Sequence, residues 1–291
     1  MSPEILVVFS LVTGGVYALL AVGFSLIFGV GRVLNLAHAA FLMLASYSMW
    51  YLISRQGLGV VEAIAITIPF VTLLGMLSYK LFIDRIREHH AAVLLITIAL
   101  LLVFEQVLLM RFGGHVRTVP SFIPGFSTIL GIRVLNQHLV ILGIVAACIA
   151  VVQLVLKRTK LGITIRAVAN DAEVANLMGI SSSRTLIITT GIATALAAVA
   201  GVAMAPVWTI TPTMWASPML MMMVIVVLGG LGSIKGSIIG AFIIGFIQVL
   251  VIALMPGGGY LNQTFVLLAM VVVLVVRPGG LFGTVFEEER L

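Results

Sequence analysis

Residues 91–112 read A-A-V-L-L-I-T-I-A-L-L-L-V-F-E-Q-V-L-L-M-R-F. Between His90 and Arg111 the only ionisable side chain is Glu105. A bilayer span needs about 20 apolar residues, and this run supplies them. Hydrocarbon offers the backbone no partners, so a spanning run must close its hydrogen bonds internally, as a helix does. The same grammar extends in both directions, with apolar segments at 5–30, 36–54, 59–82, 138–156, 186–208, 214–229, 238–255 and 261–276. The expected fold is all-α: a polytopic membrane protein of eight to nine transmembrane segments, with discontinuous or re-entrant pieces. It forms a single transmembrane domain over 1–291. The segments 214–229 and 238–255 are the least secure, because either is short enough to be a partial or re-entrant span.

Composition agrees. Hydrophobic residues make up 62% of the chain and charged residues 9%, against about 25% charged in an average soluble domain. Mean hydropathy is +1.26. The formal charge of +6 does not point to nucleic acid, because the basic residues lie in short loops between apolar runs, where they act as topology signals. The partner implied is the lipid bilayer. Cys148 is the single cysteine and excludes an internal disulfide. Met1-Ser2-Pro3-Glu4 lacks the basic stretch of a signal peptide, so the first apolar run is expected to remain as a span.

Three polar loops orient the chain: 83–90, 113–137 and 157–185. With nine crossings and 157–185 in the cytoplasm, 12 of the 16 basic residues fall inside. Arg55, Arg111, Arg117 and Arg133 fall outside. The bias predicts an outer N-terminus and a cytoplasmic C-terminus, with 277–291 as a cytoplasmic tail.

The 157–185 loop is long and regular. Gly162–Ala169 and Asp171–Met178 each fit a short helix. Asp171 suits an N-cap with Glu173 in the positive first turn, and Gly179 suits the left-handed position that ends a helix. Val174 and Met178 share a face at i, i+4, with Ala175 beside them. Two short helices with exposed apolar residues are read either as a docking surface for another protein or as a membrane-surface amphipathic helix.

Glycines break two apolar regions. Gly229, Gly230, Gly232, Gly236 and Gly240 interrupt one, and Gly29, Gly31 and Asn35 interrupt the other. Such breaks point to discontinuous helices beside a transport path, or to close helix packing with a tight turn. Asn35 and His38 add polar groups to the N-terminal break, although a lone histidine in a bundle is commonly structural. Glu105 inside a span is a functional candidate by default. Two readings stand for it: a wet vestibule, or a hydrogen bond to another helix. Rows of small residues at Gly232, Gly236, Gly240 and at Ala193, Ala197, Gly201, Ala205 suit close packing, within the chain or between chains.

Catalytic motifs are missing. No H-E-x-x-H, G-x-S-x-G or G-x-x-x-x-G-K-S/T occurs, so the chain carries neither a hydrolase signature nor a phosphate cradle. No cofactor or metal site is expected, and the His89–His90 pair lacks further ligands. Arg111, Arg117 and Arg133 in the outer loop are candidate contacts for an acidic partner.

Four motifs carry a resemblance. N-L-A-H-A at 35–39, K-L-G-I-T-I-R-A-V-A-N-D-A-E-V-A-N-L-M-G-I at 160–180, V-L-G-G-L-G-S-I-K-G-S-I-I-G-A at 227–241 and R-P-G-G-L-F-G at 277–283 resemble the branched-chain amino acid permease family of ABC importers. Ala39 departs mildly from the glycine usual there. The resemblance implies an ABC importer permease fold in a bacterial inner membrane. It also implies a second homologous permease chain, two cytoplasmic ATPase subunits that hold ATP and Mg, and a periplasmic solute-binding protein. On that resemblance the 157–185 loop is the ATPase-coupling loop, carrying Arg166, Asp171, Glu173, Val174, Met178 and Gly179. The candidate translocation path takes Asn35, His38, Glu105, Gly229, Gly230 and Gly232. The expected solute is a branched-chain or other hydrophobic amino acid. The alternatives are a permease of the same superfamily for a sugar, amide or urea, and an ATP-independent carrier.

Overall fold

Every apolar segment read from the sequence closes its backbone hydrogen bonds as a helix. The computed structural model describes residues 3–129, 132–255, 258–277 and 279–282. In chain order the helices are α1 (Pro3–Gly31), α2 (His38–Ser54), α3 (Val60–Ser78, running on as a π-helical stretch Tyr79–Ile83) and α4 (His90–Phe112). A hairpin of β1 (Phe126–Ile129) and β2 (Ile132–Leu135) follows. Then come α5 (Asn136–Arg158), α6 (Lys160–Asn170), α7 (Ala172–Leu177), α8 (Ser182–Met204), α9 (Ala216–Gly229), α10 (Ile234–Leu254) and α11 (Gly258–Val276).

Among the described residues six stretches are long and apolar enough to cross a membrane: Ile5–Gly31, Val60–Ile83, His90–Phe112, Asn136–Arg158, Ser182–Met204 and Ile234–Leu254. The doubt over 214–255 therefore falls on α9 alone. Its 14 residues reach about 21 Å at 1.5 Å per residue, short of a hydrocarbon core of about 30 Å. α2 is also short, at 17 residues, and is buried nearly throughout. Neither α2 nor α9 faces lipid along its length, so their lengths are set by protein neighbours.

α1 is the axis, packed along α10 and α8, with α5 and α9 on its flanks. Small residues permit this. Gly245 sits against the Gly14 backbone, and Gly23 abuts the His38 ring and the Ala193 carbonyl. Gly201 meets the Leu42 carbonyl, and the Ser46 hydroxyl donates to the carbonyls of Leu42 (3.1 Å) and Gly201 (2.9 Å). Both small-residue rows thus serve packing within the chain. The outer helices α3, α4 and α5 show large apolar side chains such as Phe70, Leu95 and Leu154 on the surface, as helices solvated by lipid do.

The hairpin is a departure from the sequence reading, which took 113–137 as a plain loop. F-S-T-I and I-R-V-L are short, rich in β-branched residues, and pair antiparallel from Phe126↔Leu135 to Ile129↔Ile132. The same loop is tied to the α8–α9 connection, where Arg117 and Ile210 exchange backbone hydrogen bonds of 2.9 Å. The tail predicted over 277–291 is described only for Arg277 and 279–282. Pro278 and 283–291 lie outside the described residues, as do Met1 and Ser2. Leu281 and Phe282 donate backbone N–H groups to the carbonyls of Leu228 and Gly229, so the start of the tail pairs with the end of α9.

Candidate translocation and coupling sites

At one end of the bundle, α6 and α7 fold between the last turn of α5 and the first turn of α8. Thr159 caps α6, its hydroxyl accepting from the Gly162 N–H at 3.1 Å. Asp171 caps α7, one carboxylate oxygen accepting from the N–H groups of Glu173 and Val174 at 2.9 Å. Gly179 takes φ +84°, the left-handed value that turns the chain out of α7. Asn176 then accepts from Ser182, from its N–H at 3.0 Å and its hydroxyl at 2.9 Å. The six-residue helix α7 is thus pinned at both ends.

That pinning fixes which face is presented. Val174, Leu177 and Met178 are exposed, at 53%, 83% and 78% of their surface, while Ala175 is buried. Ala175 belongs to the inner face, a correction to its placement beside Val174 and Met178. It joins Ile165, Val168, Val30, Val33, Ile83 and Leu186 in a second apolar cluster. Leu177 is the most exposed of the three and the one that the i, i+4 pattern passed over. Arg166 donates to the Leu156 carbonyl, which holds its guanidinium back on α5. Ser183 donates to Asp84 at 2.6 Å, linking the loop after α3 to the start of α8.

The glycine break between α9 and α10 is a tight turn packed on α1. Gly230 and Gly232 adopt φ +100° and +82°. A Cβ on Gly232 would stand 3.2 Å from the Gly29 Cα. Gly229 lies against the backbone of Gly236. Asn35 and His38 sit together where the chain enters α2. Both are buried, and the Asn35 Oδ1 has no hydrogen-bond partner. The His38 ring rests on Gly23 and lies 6.4 Å from the Phe24 ring, between α1 and α2, and neither of its ring nitrogens has a hydrogen-bond partner.

Glu105 stands toward the opposite end. Its carboxylate accepts from the Trp215 indole N–H at 2.7 Å, joining α4 to the start of α9. The hydrogen bond to another helix is thus present, on a carboxylate that stays half-exposed. Its hydrogen bond goes to Trp215 and not to Asn35 or His38. Arg117, offered above as a contact for an acidic partner, is engaged within the chain. Its guanidinium lies 4.7 Å from the Trp50 ring centre and donates to the Phe112 carbonyl at 3.0 Å. Arg111 and Arg133 are exposed.

Two of the clefts along α1 hold polar groups from several helices. The first, of about 670 Å³, opens at the hairpin end. Its walls include Phe9, Thr13 and Tyr17 of α1, Trp208 and Thr209, Ser217 of α9 and Gln248 of α10. Tyr17 reaches toward Gln248 and Ser217, and the Gln248 Oε1 has no partner. This set of mixed apolar and uncharged polar groups escaped the sequence reading. Each residue is ordinary in its own helix, and only the crossing of α1 with α10 brings them together. The second cleft, of about 310 Å³, lies at the α6–α7 end and includes Gly29 and Gly232. Asn35, His38 and Glu105 line neither cleft. Among the described residues no three His, Cys, Asp or Glu side chains gather as a metal site.

Residues 6–276 match the model of a family described as branched-chain amino acid transport system / permease component. The chain is 25% identical over 288 residues to the high-affinity branched-chain amino acid transport system permease protein BraD of Pseudomonas aeruginosa, covering 94% of this chain and 93% of that protein. It is 27% identical over 289 residues to the LivH permease protein of Escherichia coli K12, covering 93% and 92%. A probable branched-chain amino acid transport permease protein LivH of Methanocaldococcus jannaschii is 24% identical over 300 residues, covering 96% and 92%. No solved structure matches the chain. A bundle of apolar helices, a capped helical element at one end and a match from residue 6 to residue 276 agree: this chain is a multi-pass membrane protein of the branched-chain amino acid transport permease family.

Proposed function

We propose that this chain is one permease half of an ATP-driven importer that moves branched-chain or other hydrophobic amino acids into the cytoplasm. The observation that carries the reading is the match to the permease family over nearly the whole chain, with relatives named for branched-chain amino acids. The energy source is a pair of partner ATPases holding ATP and Mg, because the sequence contains no phosphate-cradling motif. The remaining partners are a second permease chain and a solute-binding protein. The N-terminus lies outside and the α6–α7 end inside, which follows the distribution of Lys and Arg.

In this mechanism the binding protein opens over the cleft at the hairpin end. The solute's apolar side chain meets Phe9, Trp208 and Ile252, while Tyr17, Ser217 and Gln248 supply hydrogen bonds to its polar backbone groups. ATP draws the ATPases together beneath α7. Val174, Leu177 and Met178 seat in them, and Asp171, Glu173, Arg166 and Gly179 keep the element rigid enough to push on α5 and α8. The turn at Gly229, Gly230 and Gly232 lets α9 and α10 shift as a pair against α1. Asn35 and His38 brace α1 against α2, and Glu105 holds the start of α9 through Trp215.

The test is uptake of labelled leucine into proteoliposomes holding this chain, its partner permease and the ATPases, with the binding protein supplied outside. Uptake is expected to need ATP within and to stop with vanadate. Uptake that proceeds unchanged in vanadate would show an ATP-independent carrier. Transport of a sugar, amide or urea in place of leucine would keep the machine and replace the solute.

A further inference from the structure

The cleft of about 310 Å³ at the α6–α7 end is basic on its rim and apolar on its walls. Lys157 from the end of α5, Arg166 from α6 and Lys235 from the first turn of α10 all line it. Among the described residues no acidic side chain lines it. Ser25 of α1 is in the wall too. It is wholly buried, and its hydroxyl has no hydrogen-bond partner. A buried hydroxyl left unpaired costs free energy unless a ligand or water satisfies it. The N-terminus of α10, with Ser233 as its cap, adds the positive end of a helix dipole. Leu26, Leu156 and Ile165 are among the apolar wall residues, and Gln153 adds one uncharged polar side chain.

Three cations, a helix N-terminus and an unsatisfied donor describe a receptor for a phosphate-bearing anion. The apolar walls decide between sources. Free phosphate has no use for them, whereas a phospholipid places its headgroup at the rim and its acyl chains along them. Lys157 also ends a span, the level at which headgroups lie. We propose that this cleft is a binding site for an anionic phospholipid headgroup, wedged between α6 and the α9–α10 turn. Its occupancy ties the element carrying α7 to α1 and α10. The proposal concerns lipid binding by this chain and stands apart from the identity of the transported solute.

The test is native mass spectrometry of the purified full-length chain titrated with phosphatidylglycerol, phosphatidylcholine or inorganic phosphate. Phosphatidylglycerol is expected to be retained well above phosphatidylcholine, and inorganic phosphate alone to give no adduct. Lys157→Gln with Lys235→Gln should weaken phosphatidylglycerol retention about twenty-five-fold, at roughly fivefold per cation. Ser25→Val should weaken it less and leave phosphatidylcholine unchanged. Lys157→Arg with Lys235→Arg keeps both charges and should restore retention, which separates charge from folding. Equal retention of the two lipids would overturn the proposal. So would an Arg pair that binds no better than the Gln pair, or binding of inorganic phosphate without preference between the lipids.

Discussion

Glu105 makes one part-buried hydrogen bond between helices. Its carboxylate is half-buried and accepts a hydrogen bond from the Trp215 indole N–H at 2.7 Å. Trp215→Phe keeps the ring but strands the carboxylate, a loss of about 1–3 kcal/mol. Thermal unfolding in detergent should show a lower midpoint for Trp215→Phe, and a smaller drop for Glu105→Gln, which keeps an acceptor. At Gly232 the constraint is steric. With φ +82° and the Gly29 Cα in the way, Gly232→Ala forces both a left-handed Ala and a shift of α1. The expected cost is about 1–3 kcal/mol, read in the same unfolding experiment, with leucine uptake reduced more than expression.

At the scale of the element, α7 is too short to hold itself. An isolated helix of this length is not stable in water, so its caps and its docking to α8 make it a fixed surface. Asp171→Ala removes the acceptor for two N–H groups and should cost about 1 kcal/mol. Less ATPase should then co-purify, while membrane insertion is unaffected. Replacing 171–178 with a Gly/Ser linker should abolish co-purification, and normal recovery of the ATPases would remove the docking assignment. Leu177→Glu probes the surface alone. It leaves both caps in place, and it should lower ATPase recovery as far as the linker does if the apolar face is what docks. The caps and the terminal glycine were legible because capping is local chemistry between neighbours in sequence. The inward turn of Ala175 was not, because it depends on where Val168 and Leu186 stand.

For the whole molecule, orientation is the open expectation with the clearest measurement. In a Cys148→Ser background, Gln56→Cys and Asn170→Cys place single thiols in the exposed connections at opposite ends of the bundle. A membrane-impermeant maleimide added to intact cells should label the first and spare the second until the membrane is opened. The reverse pattern would invert the topology and put α7 out of reach of any cytoplasmic ATPase.

Sequence alone determined that the chain is helical and lies in a bilayer. Apolar runs of span length have no other stable solution once water is excluded from the backbone. It also determined the caps of α7, which are set by residues a few positions apart, and it located the glycine break but left its form open. Tertiary structure decided the rest. It showed that α9 is short and enclosed and that Arg117 is held on Trp50. It also showed that Tyr17 and Gln248 share one cleft while Lys157, Arg166 and Lys235 rim another. These groups are far apart along the chain, and their meeting depends on how closely α1 and α10 approach. Small residues at the crossing make that approach possible, but only the packed bundle shows which side chains it leaves facing one another.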